Sequence, residues 1–134
     1  MSNVLRETRK IDDRAFALAD IWMQGYETMR AAKPNIGSLL STTFKSAVGT
    51  MQLRYVQTRL ARDLGVDTDN LPGNEKIFPI LEELKRRNSP AYQPLKDSVD
   101  KNHAFWSDPA VKKADEQGND MDLARAARDY RPED

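Results

Sequence analysis

The stretch from Ser38 to Leu64 is compatible with one uninterrupted helix, and its apolar stripe changes sides partway along. At about 100° per residue, one apolar set occupies one side of this helix and a second set lies roughly opposite. The first set is Leu40, Phe44, Ala47, Val48, Met51 and Tyr55, and the second is Leu53, Val56, Leu60 and Leu64. Such a helix needs two hydrophobic partners. We expect one to be the core of the molecule, and the other to be a second copy, a different protein or a later segment of the chain.

The remaining sequence predicts an all-α fold, a compact helical bundle with two long N-terminal helices and two shorter ones. Runs of alternating β-branched residues are nearly absent, and helix-forming residues with 3.6-residue apolar spacing dominate. We expect the first long helix to end at residues 33–37, which contain a proline and a glycine, and the second to end at a left-handed cap at Gly65. The fourth helix is predicted to bury one face, made of Tyr92, Leu95, Val99, His103 and Trp106.

The domain organisation predicted from this pattern is a helical bundle over residues 1–106 and a C-terminal arm of short helices over residues 107–134. Large apolar residues become sparse in the arm, and helices this short do not fold alone. We therefore expect a weakly anchored arm that either docks on the bundle or on a partner, or becomes ordered on binding.

The composition limits the cellular compartments and the kinds of site that this chain is expected to have. The 134 residues include no cysteine, which excludes disulfides and thiolate ligands and favours the cytoplasm or the interior of a virus particle. No apolar run approaches the roughly 20 residues of a membrane span, so no membrane partner is expected. The 21 basic and 21 acidic side chains are unevenly distributed: residues 1–62 carry a formal charge of +5, residues 63–106 carry −2 and residues 107–134 carry −3.

No catalytic, cofactor-binding or metal-binding pattern is present, so the sequence favours a non-enzymatic protein. His103 is the only histidine, which leaves a histidine-based metal site or a serine nucleophile without the necessary partners. Asp67 and Asp69 resemble the start of a calcium loop, but Leu71 and Pro72 follow where a ligand and a glycine turn belong. We expect His103 to have a partly buried packing role.

The sequence has no catalytic or ligand-binding pattern, and the apolar surface of the second helix is divided between two sides. Together these features predict an assembly or interaction protein. It would form homo-oligomers or serve as a small subunit of a larger intracellular or viral complex. The residues predicted to contact the partner are Leu53, Val56, Leu60, Phe105 and Tyr130.

An alternative function is contact with the phosphate backbone of a nucleic acid through a basic face of the second helix. Guanidinium groups bind phosphates through two parallel hydrogen bonds, and an aromatic ring lies among them at Tyr55. The residues predicted for this contact are Lys45, Arg54, Arg59 and Arg62. Asp63 and the acidic C-terminal segment offer these cations internal partners instead.

Overall fold

The computed structural model describes residues 2–132, and within this range the chain forms six α-helices and no strand, which confirms the predicted all-α class. A short 3-10 turn, Gly73–Glu75, precedes the third helix. The helices are α1 (Ser2–Ala31), α2 (Ile36–Leu64), α3 (Ile77–Arg86), α4 (Tyr92–Ser107), α5 (Pro109–Glu116) and α6 (Asp120–Asp129). None of the helices in the described range is long and apolar enough to cross a membrane.

Capping residues set both ends of α2. The side-chain oxygen of Asn35 accepts a hydrogen bond from the backbone N–H of Ser38 at 2.8 Å, so the helix begins at Ile36, two residues earlier than predicted. At the other end Gly65 adopts φ of 72°, the left-handed conformation predicted for it. The backbone N–H of Val66 then donates to the carbonyl of Ala61 at 3.0 Å, which closes the helix.

The first hydrophobic core lies between α1, α2, α3 and α4. The helix α1 contacts both α2 and α4, and the loop after Gly65 brings α3 back against the end of α2. The fully buried large side chains of this first core are Leu18, Leu60, Ile77, Ile80, Leu84, Leu95 and Val99. The second half of α2 is therefore held firmly on its inner side.

A second core joins the C-terminal arm to the bundle. It consists of Phe105, Val111, Ala127 and Tyr130, and Tyr26 of α1 packs against it. This cluster spans residue 106, the predicted boundary between bundle and arm, because Phe105 at the end of α4 is covered by α5 and α6. The arm thus docks on α1 and α4 through an aromatic anchor that the sparse apolar residues of residues 107–134 did not indicate.

The buried face of α4 is rotated from the predicted one. The buried residues of α4 are Leu95, Ser98, Val99, Asn102 and Phe105, whereas Tyr92, His103 and Trp106 are only half-buried. The rotation is possible because the side-chain amide of Asn102 donates to the carbonyls of Trp22 and Ser98, both at 2.9 Å. A polar residue can be buried where its hydrogen bonds are made within the protein.

Candidate functional site

The inner side of α2 contains three of the five predicted interface residues. Leu60 is fully buried, and Leu53 and Val56 are half-buried and pack against the first core. Their apolar surface is covered by the chain's own helices, since this side of α2 faces α1 and α3. The predicted division of α2 into two apolar sides is correct, but the side that was expected to meet a partner is the side that joins the core.

Phe105 and Tyr130, the other two predicted interface residues, are also buried. The ring of Phe105 meets Tyr26, Trp106 and Tyr130 edge to face, with centroids 6.0, 5.1 and 5.3 Å apart. Burial raises the pKa of the Tyr130 phenol above its usual value of 10.0. Their place in the second core corrects the prediction, because neither ring is free to contact another molecule.

The outer side of α2 carries the exposed apolar residues. We call this set the outer stripe, and five of its members have between 65% and 72% of their surface exposed, while Val48 has 39%. The outer stripe consists of Ile36, Leu40, Phe44, Ala47, Val48, Met51 and Tyr55. Isolated exposed apolar residues are normal on protein surfaces, but a contiguous row is typical of a binding site.

The outer stripe lies in a segment almost free of charge. Between Ile36 and Leu53 the only charged residue is Lys45, which lies at the margin of the stripe, about 60° from Val48 and about 120° from the centre of the stripe on the helical wheel. The residues that flank the stripe are small or uncharged, among them Ser41, Thr43 and Thr50. About 25–35% of an ordinary solvent-facing surface is charged, and the central part of an interface is depleted of charge. The segment therefore has the composition of an interface core while being exposed.

From Arg54 onward the outer side of α2 becomes basic. Arg54, Arg59 and Arg62 line a shallow depression of about 360 Å³ together with Tyr55 and Thr58. The guanidinium carbon of Arg59 lies 5.6 Å from the centroid of the Tyr55 ring, a cation–π contact. Within residues 2–132 no carboxylate lies within ion-pair distance of the three arginines.

The predicted basic face is thus reduced to three arginines. Asp63, expected as an internal partner for them, forms an ion pair with Arg14 of α1. Lys45 does not join the cluster, because it lines a different concavity between α1 and α2. The structure brings Arg54, Arg59 and Arg62 together and separates Lys45 from them.

That concavity is a groove of about 890 Å³. It forms because Thr42, Ser46 and Gly49 of α2 line it and are too small to fill the space beside α1. Other lining residues are Ile21, Gly25, Thr28, Leu39, Leu53 and Leu123, and Phe44 and Val48 line it as well as belonging to the outer stripe. The indole N–H of Trp22, another lining residue, is buried without a hydrogen-bond partner. The lining is mainly apolar, which suits packing better than acid or base chemistry.

The remaining sequence candidates have structural roles. His103 is half-buried, as expected, with its ring 6.2 Å from that of Trp22 and 5.6 Å from that of Phe78. The carboxylate of Asp67 accepts a hydrogen bond from the backbone N–H of Asp69 at 3.0 Å, which forms a local turn. In the part of the chain that the structure describes, no three His, Asp or Glu side chains are grouped closely enough to hold a metal ion.

The exposed outer stripe is the candidate site. Apolar periodicity alone did not identify it as the exposed side of α2. Both sides of α2 are apolar, so periodicity could not tell which one faces solvent. The distinguishing signal is the low charge of the segment from Ile36 to Leu53, in which Lys45 is the only charged residue and after which arginines begin at Arg54. Comparison with known proteins adds no assignment: no family model, curated protein or solved structure matches this chain.

Proposed function

We propose that this protein is a non-enzymatic helical interaction subunit that docks on another protein chain through the outer stripe of α2. The observation that carries the proposal is a row of apolar side chains, from Ile36 to Tyr55, that is exposed on a helix segment with one charged residue. At about 1.5 Å per residue the row is roughly 28 Å long. We place the interaction in the cytoplasm or inside a virus particle, since a chain without cysteine needs no oxidising compartment.

The size of the outer stripe supports this proposal. Side chains of this kind expose on the order of 100 Å² each at the observed fractions, so the stripe offers roughly 600–800 Å², close to the about 800 Å² per partner of a standard interface. Burial of a large apolar side chain contributes about 1.5–3 kcal/mol. Several such contributions offset the estimated 4–15 kcal/mol that association costs in lost freedom of motion.

The position of the stripe also supports the proposal. The stripe lies on a helix whose two ends are capped and whose C-terminal half is anchored by Leu60 and Leu64 in the first core. A partner would therefore meet a surface whose backbone is already ordered, which keeps the entropic cost of binding low.

Photo-crosslinking in cells that naturally express the chain tests this function. We expect p-benzoylphenylalanine in place of Phe44 to give a covalent adduct with a protein on irradiation, because the Phe44 ring is exposed at the middle of the stripe. The same residue in place of Phe78 of α3, which is 44% exposed and lies off the stripe, is the matched control. Absence of an adduct at position 44, or equal adducts at both positions, would refute a docking role for the stripe.

A second candidate function is contact with the phosphate backbone of a nucleic acid through Arg54, Arg59 and Arg62. The observation that favours it is that these arginines surround Tyr55 without a carboxylate partner among residues 2–132. On this proposal, reversing all three charges to glutamate abolishes binding to a mixed-sequence duplex, measured by fluorescence anisotropy. The affinity of the unaltered chain falls steeply between about 50 and 200 mM salt. Reversal of Lys112, Lys113 and Arg125 in the arm is the control, and equal effects of the two triple changes would exclude a specific role for α2.

A further inference from the structure

The spacing of six of the seven members of the outer stripe reads the same in both directions; the seventh, Val48, would face Thr43 of an antiparallel copy. Successive members of these six are separated by 4, 4, 3, 4 and 4 residues, so the row that they form is symmetric about a midpoint between Lys45 and Ser46. The members in question are Ile36, Leu40, Phe44, Ala47, Met51 and Tyr55. Such a row can pair with an antiparallel copy of itself so that each member meets another member. The two residue numbers of each facing pair then add up to 91.

We propose that the partner on the outer stripe is the same stripe of a second copy of this chain, in an antiparallel α2–α2 contact with twofold symmetry. This inference rests on the proposed function, because it takes the stripe to be the docking surface and names its occupant. Twofold contacts use one surface patch on both subunits, so the patch must be complementary to itself. The symmetric spacing meets that requirement.

The facing side chains are complementary in size. At the centre of the contact Phe44 of each copy faces Ala47 of the other, so the largest ring in the middle of the stripe meets its smallest side chain. On either side Leu40 faces Met51, two flexible side chains of similar volume. The neighbouring Thr43 and Thr50 are small enough to allow the 8–10 Å between helix axes that is usual for packed helices.

Charge selects the antiparallel arrangement over the parallel one. Arg54, Arg59 and Arg62 all lie at the C-terminal end of α2, and a parallel pair would bring six arginines together with no carboxylate partner among residues 2–132. In the antiparallel pair the two clusters lie at opposite ends. The two copies of Arg59 are then roughly 40 Å apart along the helices, far beyond the screening length of about 8 Å in physiological salt. Lys45 lies at the margin of the contact, because it is about 120° from the centre of the stripe on the helical wheel.

Cysteine crosslinking of the full chain tests the register, since the chain has no cysteine of its own. We expect a short bismaleimide to join Leu40→Cys to Met51→Cys when the two variants are mixed, whereas either variant alone gives little crosslinked dimer. In the antiparallel pair the two copies of residue 40 are roughly 16 Å apart along the helix axis. Gln52→Cys, exposed on another side of α2, is the control partner for Leu40→Cys. Efficient crosslinking of each variant with itself would overturn the antiparallel arrangement.

Sedimentation equilibrium tests the occupant itself. We expect the unaltered chain to sediment at twice the chain mass and Phe44→Glu to raise the dissociation constant at least about 30-fold, because the carboxylate would be buried against Ala47 of the partner. The far-ultraviolet circular dichroism of Phe44→Glu should be unchanged, since Phe44 makes no core contact within its own chain.

The proposed occupant and the proposed function fail in different ways. A monomeric chain that still gives a photo-adduct of a different protein at position 44 would overturn the second copy and leave the docking function intact. A monomeric chain without any adduct at position 44 would overturn both. A photo-adduct of twice the chain mass, together with Leu40–Met51 crosslinking, supports both.

Discussion

Replacement of Phe105 by alanine is expected to lower the free energy of unfolding by about 4 kcal/mol, within the range seen when a large buried aromatic is truncated. Phe105 has no exposed surface and contacts the rings of Tyr26, Trp106 and Tyr130 in the second core. Its loss removes the anchor that holds α5 and α6 on the bundle. Urea unfolding followed by circular dichroism measures the change, and limited proteolysis should show new cleavage after residue 107.

Phe44→Ala is the matched control for this experiment. The same truncation at Phe44 should change the free energy of unfolding of the monomer by less than about 0.5 kcal/mol, because Phe44 is 71% exposed. The comparison must be made at concentrations where the chain is monomeric, since association stabilises the folded state by mass action. Equal losses at the two positions would contradict the assignment of Phe105 to the interior and Phe44 to the surface.

Asn102→Asp is expected to lower the free energy of unfolding by roughly 3–5 kcal/mol at neutral pH, as for a buried charge left without a partner. The Asn102 amide donates to the carbonyls of Trp22 and Ser98, and a carboxylate of the same shape would place a negative charge against both oxygens. The loss should depend on pH. Burial beside two carbonyls raises the folded-state pKa of the new carboxyl above its unfolded value of about 3.9.

The sign of that pH dependence follows from the protonation of each state. Below about pH 3.9 the carboxyl is protonated in both the folded and the unfolded chain, so the charge penalty is absent. As the pH rises through the folded-state pKa, the unfolded chain is already ionised and the variant loses stability relative to the unaltered protein. Urea midpoints of both proteins between pH 3 and 8 measure the difference. Asn102→Ala, which removes the hydrogen bonds without adding a charge, should show a smaller loss that does not vary with pH.

Local signals in the sequence predicted the two long helices and the ends of α2 to within two residues. The left-handed cap at Gly65, the break at residues 33–37 and the start of α5 at Asp108 and Pro109 depend on backbone geometry within a few residues. The cap at Gly65 and the break at residues 33–37 were predicted, and α2 begins two residues before its predicted start at Ser38. The two apolar sides of α2 were likewise visible from periodicity.

The rotated face of α4 and the second core could not be predicted in this way. Asn102 looks like a surface residue in sequence, and only the nearby carbonyl of Trp22, eighty residues away in the chain, makes its burial favourable. Phe105 directly precedes Trp106, which belongs to the predicted stripe of α4, and its burial depends on α5 and α6 folding back over it. Both are contacts between distant parts of the chain.

Contacts between distant parts of the chain also determine which side of α2 is buried and which is exposed. Helical periodicity specifies that Leu60 and Phe44 lie on different sides of one rod, because that follows from 3.6 residues per turn. It does not specify which side is covered, since the hydrophobic effect has no direction and both sides are apolar. The tertiary structure covers the Leu60 side, where α1 and α3 converge after the turn at Gly65, and leaves the Phe44 side to water or to a partner.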